Sequence, residues 1–291
     1  MRTAPETAQP YRVSEDFKSR LPLHYPEPAP DAYRVLSDRA YRTVGDHAYP
    51  LDVYQPASAQ GTGRPAVVLV HGQAHPALLR DAKGWLALQG LARVLASRGM
   101  VAVVPNLGSS ASGPDPSQQF SNVARVADNV VAAVRQVQAH AVALGVDRRR
   151  VALWLASEGG LYALAPALGG ELNGALRCVV ALYPLLSERR LAATEPPLPA
   201  SVLARLRPSA HLRRHRQGPF PILIVRAGHD GADVNQAIDA FVDLAREVEA
   251  PVTLVRHEQG HHGFETVDAT DETRAVLDRA LAFLERNLQA P

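Results

Sequence analysis

A serine at the point where a short apolar run gives way to a helical one can act as a nucleophile, and Ser157 has that setting. It stands in Leu155-Ala156-Ser157-Glu158-Gly159-Gly160, after the apolar run Val151 to Leu155 and before the helical pattern that opens at Leu161. A sharp strand-to-helix turn strains the backbone of such a serine and lifts its hydroxyl clear of the sheet, and small neighbours let strand and helix approach closely. The backbone N–H of Glu158 would then face negative charge developing on a carbonyl oxygen, with the helix terminus adding to the field. A plain turn with a serine cap has the same local sequence, so the chemistry depends on partners elsewhere in the chain.

A serine hydroxyl is a poor nucleophile without a histidine base and an acid that orients it. Asp230 follows the apolar run Pro221 to Val225 through Arg226-Ala227-Gly228-His229. That puts a carboxylate just beyond the C-terminal end of a strand, where ligands gather in open α/β sheets. Asp233 is the rival acid, although an Asp there is equally suited to cap the helix beginning near Val234. His262 lies in Gln259-Gly260-His261-His262-Gly263-Phe264, after the last strand and before the last helix. Its flanking glycines allow a sharp turn that aims the imidazole inward, and Phe264 can anchor the loop. His261 is expected to point away and His257 to serve packing or a local hydrogen bond. A metal site built on His257, His261 and His262 lacks Asp, Glu or Cys partners at diagnostic spacing, and the proposed chemistry calls for no metal or organic cofactor. Upstream, Val67 to Val70 runs into His71-Gly72-Gln73, where the N–H of Gln73 is the natural second oxyanion donor and His71 reads as a structural residue. The chain order Ser157, Asp230, His262 is the strongest single argument for acyl transfer.

These residues need a scaffold, and the chain describes one. Ala66 to Val70, Val101 to Val104, Val151 to Leu155, Cys178 to Leu182, Ile222 to Val225 and Val252 to Val255 are short, largely β-branched runs that read as strands covered on both faces. Between and after them, Trp85 to Ser97, Val123 to Ala143, Gly160 to Leu168, Val234 to Glu249 and Asp271 to Leu288 have helix-length apolar patterns. The alternation predicts an α/β fold: a mostly parallel central sheet with helices on both faces and no independent second domain. Arg39 to Val44 and Ala48 to Tyr54, separated by Gly45 and Asp46, predict a hairpin ahead of it. Residues 1–35, crowded with proline, read as an irregular arm, and 36–291 as one domain. The segment 185–217 breaks the rhythm with Pro196, Pro197 and Pro199 and reads as a short insertion or lid.

Composition bounds the partners. With 46% hydrophobic and 21% charged residues the chain reads as an ordinary globular protein, and 31 basic against 29 acidic side chains argue against nucleic acid as the main partner. Cys178 alone excludes an intrachain disulfide framework and, in its apolar run, reads as a buried thiol. No run reaches the length of a membrane span, and the first 30 residues do not have the pattern of a secretory signal, so a cytoplasmic location is expected.

Leu51-Asp52-Val53-Tyr54-Gln55-Pro56, His71-Gly72, Gly145-Val146-Asp147, the Ser157 elbow, Asp230 and His262-Gly263-Phe264 together resemble the α/β-hydrolase superfamily, and within it the carboxylesterase and dienelactone-hydrolase-like branches. The resemblance spans roughly residues 40 to 288. It implies that Ser157 is the nucleophile, Asp230 the acid and His262 the base, with the main chain of Gln73 and Glu158 forming the oxyanion hole. A small-molecule ester would be cleaved through an acyl-enzyme. An amidase or peptidase of the same fold, or a non-catalytic binding protein, are the other readings. Two departures stand out: Leu155 occupies the position of the first elbow glycine, and Gln-Ala-His-Pro follows His71-Gly72 where many such esterases have a glycine run.

Overall fold

A computed structural model describes residues 20–58, 63–74, 78–109, 118–187, 198–214 and 219–289. Eight strands form one sheet: β1 (Tyr33–Val44), β2 (His47–Pro56), β3 (Arg64–Val70), β4 (Val101–Pro105), β5 (Val146–Ala156), β6 (Cys178–Leu182), β7 (Ile222–Ala227) and β8 (Val252–His257). Their spatial order is β1-β2-β4-β3-β5-β6-β7-β8. The first two pairings, β1 with β2 and β2 with β4, are antiparallel, and every other pairing is parallel. β1 and β2 are joined at Gly45-Asp46, with Val44 opposite His47 and Gly45 at a φ of 56°. Positive φ is what a two-residue hairpin turn demands and what glycine supplies without strain.

Side-chain alternation divides the sheet into two apolar faces. On β3, Ala66, Val68 and Val70 face one core while Val67 and Leu69 face the other, and on β5 Val151, Leu153 and Leu155 oppose Ala152 and Trp154. The first core is covered by α2 (Gln118–Ala139), by α3 (a π-helical turn Gly160–Leu164 running into Ala165–Leu168) and by α6 (Ala232–Glu247). The second is covered by α1 (Leu86–Ser97) and α8 (Asp271–Asn287), through residues such as Leu91, Leu95, Leu277 and Leu281. Thr270 caps α8 by accepting a hydrogen bond from the Thr273 N–H. Asp271 and Glu272 then lie in its first turn, where the helix dipole favours negative charge.

Two expectations are corrected. β8 is the sheet edge, with Thr253 and Arg256 exposed, so it is not a strand buried on both faces. β1 already begins at Tyr33, inside the stretch expected to be irregular, and residues 1–19 of that stretch lie outside the described residues. Of the segment 185–217, residues 188–197 and 215–217 also lie outside them. The remainder forms α4 (Ala200–Arg205) and α5 (Pro208–Arg214), whose neighbouring Leu206 and internal Leu212 are fully buried in the first core.

Candidate active site

The turn after β5 is where local sequence and strain meet. Ser157 has a φ of 54°, rare for a residue with a Cβ, and three backbone hydrogen bonds hold it there. Its N–H donates to the Leu182 carbonyl at 3.1 Å, while its own carbonyl accepts from Gly160 at 3.0 Å and from Leu185 at 2.8 Å. Such a conformation costs on the order of 1–3 kcal/mol and persists only when its surroundings over-determine it. Leu155, at the position where a glycine is expected, is fully buried in the first core. The room it needs comes from Gly159, where an added Cβ would sit 3.0 Å from the Leu155 Cβ. The two positions share one tight space, and here the larger side chain is on the strand.

Two further loops converge on the serine hydroxyl. The loops after β7 and β8 are tied by Gly228 N–H donating to the His257 carbonyl and His229 N–H donating to the Gly260 carbonyl, both at 2.8 Å. A Cβ on Gly228 would collide with the Glu258 carbonyl, so the residue must be small for the loops to meet. Within this frame His262 Nε2 lies 2.8 Å from Ser157 Oγ, and His262 Nδ1 lies 2.7 Å from Asp230 Oδ2. The Asp230 side chain is 6% exposed and its other oxygen accepts from the Gly231 N–H at 2.7 Å, which leaves the carboxylate little freedom to turn. The imidazole is more open, at 38%.

The neighbouring candidates lie elsewhere. Asp233 is in the first turn of α6, whose N-cap is Gly231; it therefore sits inside the helix start, not at the cap position. His261 turns to Asp268, 2.9 Å from Nδ1 to Oδ1, and His257 is buried with Nε2 2.7 Å from the Thr273 hydroxyl. The three clustered histidines thus have three separate partners. Among the described residues no group of His, Cys, Asp or Glu converges as a metal-binding set.

The cleft at Ser157 has a volume of about 170 Å³. Gly72 forms one wall, so close that a Cβ there would be 2.8 Å from the Ser157 Cβ, and Gln73 lines the same cleft. Glu158 follows the serine directly and its carboxylate accepts from the Tyr162 hydroxyl at 3.4 Å. His71 is buried against Trp85, with ring centroids 5.5 Å apart. Burial pushes its imidazole down to about 4, so the ring is neutral near pH 7. Because a carbonyl oxygen can only accept, the 2.7 Å contact to Gly72 O assigns the proton to Nδ1. Leu21, Trp85, Leu88 and Val267 give the cleft an apolar wall.

Two residues of the cleft carried no signal in the sequence. Tyr183, directly after β6, has a φ of 36° and packs its ring 4.5 Å from that of His262. Its hydroxyl donates to Glu265 Oε1 in α7 (Phe264–Val267).

The sheet order, the strained turn after β5 and the loops after β7 and β8 make this the α/β-hydrolase fold. Solved structures agree: Thermogutta terrifontis esterase 2 phosphoramylated by tabun superposes with a TM-score of 0.66 at 21% identity, covering 91% of this chain and 98% of that one. The propionate-bound esterase from the same organism gives 0.65 at 22% identity, covering 89% and 96%. No protein-family model and no curated protein matches the chain.

Proposed function

We propose that the protein is a serine esterase acting on small carboxylic esters. The observation that carries the reading is the continuous relay from Ser157 Oγ to His262 Nε2 and from His262 Nδ1 to Asp230 Oδ2, at 2.8 and 2.7 Å. In this reading Ser157 attacks the ester carbonyl as His262 takes its proton, and Asp230 holds the ring in the tautomer that leaves Nε2 free to accept. The main-chain N–H groups of Gln73 and Glu158 receive the charge on the carbonyl oxygen. His262 then returns the proton to the departing alcohol, and water releases the acid by the same steps in reverse. Nothing in this sequence of steps draws on a cofactor.

The size and apolar wall of the cleft favour short acyl chains. The similar Thermogutta esterase has been described with propionate bound and phosphoramylated by tabun, which supports an esterase reading for this chain. The same reading treats the chain from β1 at Tyr33 onward as one catalytic domain carrying the 185–217 insertion. A p-nitrophenyl ester series from acetate to laurate tests it, run on wild type and Ser157→Ala. The expected result is a preference for the short members and a loss of about 10³-fold or more in the variant. Intact-mass measurement after paraoxon treatment should give one phosphoryl adduct, absent from Ser157→Ala. A folded wild type that neither turns over any ester nor takes the adduct would leave a non-catalytic binding protein as the better reading.

A further inference from the structure

We propose that Tyr183 and Glu265 are a positioning pair behind the catalytic base: the Tyr183 ring fixes the plane of the His262 imidazole, and the buried Glu265 carboxylate stabilises the positive charge that ring acquires when it takes the Ser157 proton. The inference rests on the reading of His262 as general base and adds a second acid to it, one that never touches the imidazole nitrogens and takes no proton itself. The proton still passes from Ser157 Oγ to His262 Nε2 and on to the leaving oxygen.

Geometry makes the case. The Tyr183 ring lies between two others, 4.5 Å from His262 at 55° and 5.5 Å from Phe264 at 82°. Its backbone is held at positive φ by the N–H donating to the Val225 carbonyl at 2.7 Å. A bulky residue in that conformation is strained, and it holds the aromatic ring in tilted contact with the base. The Tyr183 hydroxyl is then clamped by Glu265 Oε1. A purely structural clamp needs only one acceptor oxygen, which a glutamine amide would supply without charge. Glu265 instead brings a second oxygen, Oε2, that is buried and has no hydrogen-bond partner among the described residues. Leaving a charged acceptor in that state is costly unless positive charge stands nearby.

The groups around it identify that charge. His262 is faced by Asp230 from the turn before α6, by Ser157 and Tyr183 from the ends of β5 and β6, and by Glu265 from α7, with Asp268 beyond and tied to His261. No Lys or Arg lines the cleft among the described residues, and burial keeps the His71 ring neutral near pH 7, so His262 is the group there that can become a cation. Burial holds the Glu265 carboxyl above its ordinary range, and the Tyr183 hydroxyl, its own backbone N–H and the neighbouring His262 offset that rise only in part. Asp230 therefore acts on Nδ1 through a hydrogen bond, and Glu265 acts from the side of the ring where Tyr183 packs, without touching it.

The test is the titration of His262 followed by proton–nitrogen NMR in the full chain, with the pH profile of kcat/KM for p-nitrophenyl butyrate beside it. In Glu265→Gln the His262 midpoint should fall by about 0.5 to 1 pH unit, because a neighbouring negative charge has been removed. Its plateau kcat/KM should fall about tenfold, mainly in kcat, since the lost interaction is strongest in the transition state. Glu265→Asp, which keeps the charge, should keep the midpoint near that of wild type. A merely structural role would lower the plateau and leave the midpoint in place, and an unmoved midpoint in folded Glu265→Gln overturns the proposal. If that variant does not fold, Tyr183→Phe removes the donor that helps keep Glu265 ionised; the same shift in smaller measure is expected, and its absence is equally decisive. The NMR readout needs no turnover, so a wild type inert toward esters would sink the esterase reading while the titration still decides the pair.

Discussion

Acidification should destabilise this fold through one histidine that lies outside the proposed proton relay. His71 is buried behind the cleft, its Nδ1–H donates to the Gly72 carbonyl at 2.7 Å, and burial holds its imidazole near 4 against an ordinary value of 6.5. Between those two values the unfolded chain binds a proton that the folded protein refuses, so stability falls as pH falls through the window from about 6.5 to about 4. The full effect is about 3 kcal/mol, of which about 2 kcal/mol appears between pH 7 and about pH 4.5. His71→Asn is the informative variant, because the asparagine Nδ2 can reach the same carbonyl and carries no titratable proton. It loses packing against Trp85 and so starts from lower stability, but the quantity that matters is the change with pH. Urea unfolding at the two pH values, followed by circular dichroism, should show wild type losing about 2 kcal/mol more than His71→Asn on acidification. Other titrating groups, including Glu265 with its shift in the opposite direction, act alike in both proteins and cancel from the difference. Equal losses in wild type and variant would mean that His71 is not held neutral by its surroundings.

Three further outcomes follow from the same geometry. Asp230→Asn should lower kcat for ester turnover by about 10³-fold or more with folding intact, while Asp233→Asn, in the first turn of α6, should stay within a few-fold of wild type; the reverse ranking would move the acid. Gly159→Ala should cost about 1–3 kcal/mol in unfolding free energy, because its Cβ meets that of Leu155 at 3.0 Å, and a variant as stable as wild type would mean that the two positions do not share their space. Thr273→Val strips buried His257 of its 2.7 Å hydroxyl contact and should cost about 1–3 kcal/mol of stability while leaving kcat unchanged; a large fall in kcat in the folded variant would give His257 a part in the chemistry.

The sheet was legible where both faces are covered and misread where one is not. β3, β4 and β6 are short runs of β-branched and small apolar residues buried throughout, and such runs admit little besides a central strand. Val252 to Val255 has the same look, yet β8 is the edge, because a brief apolar run does not say how many neighbours it has. The prolines before β1 hide its start, and its long pairing with β2 is made across two register shifts that no local pattern announces. Leu155 counted against the elbow when read by itself. Its meaning depends on Gly159, four residues later, since the two occupy one space and either can be the small one.

The same distinction explains which site residues could be read. Strands β5, β6, β7 and β8 lie side by side, parallel and in chain order, so whatever follows their carboxyl ends must converge. Ser157 directly follows β5, Asp230 comes three residues after β7 and His262 five after β8, and all three are residue types whose chemistry is recognisable in advance. Tyr183 directly follows β6 and obeys the same rule, but a tyrosine after a strand reads as one more core aromatic, and no glycine or asparagine marks its positive φ. Glu265 is harder still: it lies in a four-residue helical turn, where a glutamate is ordinarily solvated, and its partner is 82 residues away in sequence. The residues proposed to perform a step are thus marked by type and strand end, whereas those that hold them are marked only by contact. For an aromatic one position past a central strand, the parallel order of its neighbours is itself the signal, because from that position Tyr183 reaches His262 in the loop after β8.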